Sequence, residues 1–199
     1  MANLQGIRRA LGKYLADPIV TALVKTHITP NAVTCIGLLI TIAAAVLIAL
    51  DHAFIAGYIV LFAGLFDMLD GELARRTNNV TKFGGVLDST LDRVSEAAVL
   101  IGIAILYANQ HSTWGVAITG ITMISSQLVS YIRAKAEALN INCEIGIFTR
   151  PERVVILSIG LLLNSFTNVL LIALAIIAVL SFFTAGQRLF FVWKKIKSV

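Results

Sequence analysis

The stretch FDMLDGELARRTNNVTKFGGVLDSTLD, residues Phe66–Asp92, places four aspartates, two arginines and a lysine between two long apolar segments. Its flanks decide the fold. The 199-residue chain is 58% hydrophobic with a mean hydropathy of +0.87. It carries several runs of the roughly 20 apolar residues that cross a bilayer as helix. These runs predict six transmembrane helices at about residues 32–50, 53–77, 84–108, 113–139, 151–165 and 168–193, joined by short connections. The predicted class is an all-α, polytopic membrane bundle forming one domain over 1–199, with the six-helix bundle at 32–193.

Residues 1–27 read differently. Arg8, Arg9, Lys13 and Asp17 interrupt the apolar run that a signal peptide needs. Leu4, Ile7, Leu11, Leu15 and Ile19 recur at helical spacing, which predicts an amphipathic helix lying on the membrane surface. The sixteen Lys and Arg fall in four groups of four on one side of the predicted membrane: Arg8, Arg9, Lys13 and Lys25; Arg75, Arg76, Lys82 and Arg93; Arg133, Lys135, Arg150 and Arg153; Arg188, Lys194, Lys195 and Lys197. The opposite side has Asp51 as its only charge. The positive-inside rule therefore puts both termini, and the aspartates, on the cytosolic side of the cell membrane. Cys35 and Cys143 lack metal-ligand spacing and are too few for a disulfide framework, so they are read as packing residues.

Asp67 and Asp70 approach the cytosolic end of the second helix, and Asp88 and Asp92 the cytosolic start of the third. At about 100° per residue, Asp67, Asp70, Gly71, Ala74 and Arg75 share one helix face, as do Gly84, Asp88 and Asp92 on the next. A turn through TNNVTK is expected to bring these faces together. Four carboxylates at one half-desolvated depth repel one another and call for cations. An all-oxygen donor set favours Mg²⁺, with Mn²⁺ as the alternative, and four carboxylates point to two ions and phosphate chemistry. Gly71 and Gly84 leave room for a ligand against backbone, and Arg75 offers a fork to phosphate oxygens. Glu72, Arg76 and Lys82 are read as solvated.

The pattern Asp67-x-x-Asp70-Gly71-x-x-Ala74-Arg75, then eight residues, then Gly84-x-x-x-Asp88-x-x-x-Asp92 resembles without departure the signature of the CDP-alcohol phosphotransferases, integral membrane enzymes of phospholipid synthesis. The resemblance implies that Asp67, Asp70, Asp88 and Asp92 hold two metals and that Asp92 is also the general base. It further implies that Gly71, Ala74 and Gly84 line a cytidine pocket, that Arg75 meets the pyrophosphate, and that the protein is a homodimer. The implied donor is CDP-diacylglycerol or an ether-lipid equivalent, with CMP as leaving group; no nucleic-acid partner is expected.

Two further segments add binding candidates. ITPNAVT opens the first helix, with Thr29 as cap and Pro30 where its missing N–H costs nothing; it looks like the family's usual approach to the nucleotide and adds Asn31 and Thr34. SYIRAKAE and the later RPER supply Arg133, Lys135, Arg150 and Arg153, a basic set suited to the phosphate of a phosphorylated acceptor. Tyr131 and RPER resemble the members that use inositol phosphate, although the Lys and Arg of the helical motif are exchanged here. Arg133 and Lys135 point to different sides of their helix, so one of the two is expected to face the pocket. Glycerol 3-phosphate is the alternative acceptor. A divalent-cation transporter is the reading from another class, and it fails to explain outer helix halves that are almost purely apolar.

Overall fold

The computed structural model describes residues 17, 19–24, 26, 28–166 and 168–197, the side chains of 65 and 68 excepted. Among these residues every regular element is helical. A short helix over 19–24 leads into α1 (Pro30–Ala49), α2 (Ala53–Arg76), α3 (Lys82–Asn109), α4 (Thr113–Ala138), α5 (Arg150–Leu162) and α6 (Val169–Lys197). Most of the predicted amphipathic helix, including Leu4, Ile7, Arg8, Arg9, Leu11, Lys13 and Leu15, lies outside the described residues.

Local chemistry sets the boundaries. Thr29 accepts from Ala32 N at 3.3 Å, with Pro30 at the first position of α1. Thr81 and Ser112 cap α3 and α4 through Gly84 N and Gly115 N. Thr149 and Glu152 form a reciprocal capping box on α5. Helices α1 to α4 are each followed closely by a positive-φ residue, Asp51, Asn78, His111 and Asn140, residue types that tolerate the left-handed region at helix ends.

Among the described residues four helices, α1, α2, α4 and α6, are long and apolar enough to cross a membrane. Helix α3 is 28 residues long but charged in its first half, and α5, with 13 residues, rises only about 20 Å. The six helices close into a ring in the order α1, α2, α5, α6, α4, α3 and back to α1. Helices α2 and α3, which carry the aspartates, are not a closely packed pair; α1 lies against both. The TNNVTK turn brings the two aspartate faces to opposite sides of one cleft, with Asp67 and Asp92 both against Arg150.

Ile48, Val60, Leu100, Ile103, Leu161, Leu174 and Ile177 converge inside the ring to form its apolar core. Two glycines set how close the helices come. A Cβ on Gly102 would stand 2.5 Å from Ala45 O, and one on Gly57 would stand 3.0 Å from Leu162 N. The α1–α3 and α2–α5 crossings therefore bring backbone against backbone, which any larger residue at these positions forces apart.

Candidate active site

The C-terminal ends of α2, α4 and α6 and the N-terminal ends of α1, α3 and α5 lie at one end of the ring, and the signature residues cluster there. Asp70 is buried; its Oδ2 accepts from Thr34 Oγ1 at 2.7 Å and its Oδ1 from Gly71 N at 2.5 Å. Thr34 is thus a direct partner of a signature carboxylate, held to it across the α1–α2 contact.

Asp67 and Asp92 face each other across the cleft, with the Arg150 guanidinium between them. Nη1 stands 2.7 Å from Asp67 Oδ2 and 2.6 Å from Asp92 Oδ1, the latter a charge contact rather than an aligned hydrogen bond. Asp88 shares one apolar-walled cavity of about 340 Å³ with Asp67, Asp92 and Arg150, and another with Asp70. Among the described residues no three Asp, Glu, His or Cys side chains draw close enough to share one metal ion. The donor set nevertheless suits a hard divalent cation. It is all carboxylate, and Arg150 puts a positive charge between Asp67 and Asp92, where a bound ion would supply one.

The residues proposed for the CDP-lipid gather round a cavity of about 180 Å³. Asn31, Thr34, Gly71, Ala74, Arg75 and Gly84 line it, together with Asp70 and Asp88. A Cβ on Gly84 would meet Asn31 Oδ1 at 3.2 Å, so Gly84 keeps this wall open; one on Gly71 would make ordinary contact with the Arg75 guanidinium at 3.6 Å. Arg75 is largely exposed and pairs with Glu72 at 2.9 Å. Glu72 also takes Arg76 at 3.1 Å, and Arg76 reaches on to Asp17 and Thr21. Arg76 is exposed, as the solvated reading has it, and Glu72 is half-buried; the pair ties the end of α2 to the segment preceding α1, a long-range contact that helical periodicity does not encode.

A larger cavity of about 470 Å³ opens between α3, α4, α5 and α6, and Asp88 and Asp92 form part of its wall. Arg93, Arg133, Arg150, Arg153 and Arg188 line it. Of the two cations in SYIRAKAE, Arg133 faces this cavity and pairs with Glu137 at 2.8 Å, while Lys135 lies over the Tyr131 ring and is not among the lining residues. Arg153 is buried and forms a side-on fork with Glu96, Nε to Oε1 at 2.6 Å and Nη2 to Oε2 at 2.9 Å.

Arg188 is the functional candidate that sequence reasoning missed, since it enters there only as one of the cations of the cytosolic side. It is 3% exposed and donates to Ile145 O at 2.9 Å and Val129 O at 2.7 Å. Its distance in sequence from Lys194, inside the apolar run TAGQRLFFVW, was the available signal, since a lone cation within a membrane-embedded helix marks a site more often than an anchor.

The family model for CDP-alcohol phosphatidyltransferase matches residues 27–192. A phosphatidylinositol phosphate synthase of Mycobacterium tuberculosis is 36% identical over 200 residues, covering 97% of this chain and 92% of its own. An archaetidylinositol phosphate synthase of Pyrococcus horikoshii is 42% identical over 171 residues, covering 85% and 86%. The crystal structure of M. tuberculosis phosphatidylinositol phosphate synthase with CDP-DAG bound superposes with a TM-score of 0.83 at 36% identity, over 90% of this chain and 94% of that one. The same enzyme in complex with manganese and citrate superposes at 0.81, over 89% and 88%.

Proposed function

The chain belongs to the CDP-alcohol phosphatidyltransferase family, a multi-pass membrane enzyme, and on that footing we propose that it transfers the phosphatidyl group of a CDP-diacylglycerol-type lipid to a hydroxyl of inositol phosphate, releasing CMP. One observation carries the choice of a phosphorylated acceptor. Arg133, Arg153 and Arg188 converge on a cavity that shares Asp92 with the carboxylate cleft, so an acceptor phosphate held by the arginines brings its hydroxyl toward that carboxylate. The names of the relatives favour inositol phosphate over glycerol 3-phosphate.

In this reading Asn31, Thr34, Gly71, Ala74 and Gly84 seat the cytidine side of the donor, and Arg75 faces its pyrophosphate. The cavity walled by Leu61, Pro151, Val154 and Val155 runs from the carboxylates along apolar surface between α2 and α5 and suits an acyl chain. Asp67, Asp70, Asp88 and Asp92 would hold the divalent metal, two Mg²⁺ with Mn²⁺ as substitute. Bound there, it offsets charge on the pyrophosphate and makes CMP a better leaving group. Asp92 takes the proton of the acceptor hydroxyl. The hydroxyl oxygen bonds to the lipid-bearing phosphorus, the bond from that phosphorus to the CMP oxygen breaks, and CMP departs.

All six helices then span or enter the bilayer in one domain with both termini and the site on the cytosolic side, as the cation distribution favours. The charged half of α3 stands against the carboxylate and arginine-lined cavities and the 13-residue α5 reaches only part-way across. The protein acts as a homodimer. The acceptor phosphate is tested by offering free inositol in place of inositol phosphate. We expect lipid product with the phosphorylated polyol alone; equal product from both would remove the role given to the arginines.

A further inference from the structure

We propose that Glu96 is the positioning residue of the acceptor cavity, fixing the Arg153 guanidinium so that one edge alone is presented to the acceptor phosphate; this rests on the acceptor reading above. Glu96 is one helical turn beyond Asp92 on α3, and Arg153 is one turn into α5, so the pair bridges two helices that are separated in the ring. Both side chains are buried, at 9% and 2% exposure. The fork engages Nε and Nη2, which leaves Nη1 as the edge for the cavity that Arg153 lines.

The pair is also a floor. Beneath it lies a second, inner cavity of about 40 Å³, lined by Glu96 and Arg153 together with Thr41, Ser95, Thr122 and Ser126. Ser126 Oγ is buried there and finds no hydrogen-bond partner among the described residues. The rest of the cavity wall is largely apolar, with Val60, Val99, Leu100, Leu157 and Ile177. Without the fork, Arg153 can turn down toward the open Ser126 hydroxyl of this inner space and away from the acceptor.

Glu96 could instead weaken phosphate binding by cancelling the charge of Arg153. Geometry outweighs this effect, because a carboxylate matches both donors of the guanidinium edge while a carboxamide matches one and opposes the other with its own N–H. The two accounts predict opposite signs.

The test is steady-state CMP release by the full-length protein with CDP-diacylglycerol, comparing wild type, Glu96→Gln and Glu96→Asp. For Glu96→Gln the expected result is a KM for inositol phosphate raised about tenfold or more, a kcat within about twofold of wild type and an unchanged KM for the lipid. Glu96→Asp keeps the charge one methylene further back and recovers part of the loss. A lower or unchanged acceptor KM in Glu96→Gln, or a fall in kcat alone, overturns the proposal. Should that variant not fold, Glu96→Asp decides on the same split, a raised acceptor KM supporting the role and an unchanged one ending it. If the wild type accepts only glycerol 3-phosphate, the inositol phosphate reading fails, and the KM for that acceptor tests Glu96 by the same criteria.

Discussion

Asp92→Asn lowers CMP release by about a thousandfold or more, the upper part of the range for loss of a general base, while CDP-diacylglycerol binding survives. The substitution keeps the side chain's shape and removes its charge and its basicity. Asp92 is absent from the lining of the nucleotide cavity, where Asn31, Thr34, Gly71, Ala74, Arg75 and Gly84 are arranged, so the donor keeps its seat. Arg150 keeps Asp67 as a partner at 2.7 Å, which limits the structural disturbance. Turnover assays alongside equilibrium binding of the lipid separate the two effects. Turnover near the wild-type level would remove Asp92 from the chemistry, and loss of lipid binding would make it a ligand of the donor.

Arg153→Ala is the second large expected effect, and it has two components. Removing one member of a buried ion pair leaves Glu96 uncompensated and costs about 3–5 kcal/mol of stability. The same change strips the acceptor cavity of a phosphate donor, so kcat/KM for inositol phosphate falls while lipid affinity is nearly retained. The double variant Glu96→Leu, Arg153→Met separates the components. Replacing a buried pair with apolar residues of similar volume is close to neutral for folding. Thermal stability in detergent therefore returns toward wild type, while the acceptor KM stays high. Recovery of acceptor KM together with stability would show that Arg153 serves the fold alone.

Helix periodicity and end signals made the fold readable. The six helices begin and end within a few residues of their expected positions, because Thr29–Pro30, Thr81, Ser112 and Thr149–Pro151 mark starts and Asp51, Asn78, His111 and Asn140 mark ends. The last helix runs further, to Lys197, since nothing in RLFFVWKKIK breaks it. The grouping of Asn31 and Thr34 with Gly71, Ala74, Arg75 and Gly84 was readable from the signature and its resemblance.

Contacts between elements distant in sequence were not readable. The spacing puts Asp67 and Asp92 on inward faces, but it does not say that Arg150, from a helix nearly sixty residues later, stands between them. Glu96 and Arg93 look alike as charges one turn apart. The fold gives Glu96 a buried partner 57 residues away and turns Arg93 back onto Ser89 O of its own helix. Counting charges by side of the membrane takes no account of depth, so it does not set Arg188 apart from the lysines that follow it. Its burial follows from α6 packing against α4, where Val129 offers a carbonyl, and from the connection between α4 and α5, where Ile145 offers another.

The central claim is transfer of a phosphatidyl group to inositol phosphate. Its most direct measurement is CMP release by the purified protein with CDP-diacylglycerol and Mg²⁺, offering inositol phosphate and glycerol 3-phosphate in parallel. The expected result is release with inositol phosphate and none above background with glycerol 3-phosphate. Release with glycerol 3-phosphate alone would contradict it, leaving the carboxylate cleft its chemistry and giving the arginine-lined cavity a different acceptor.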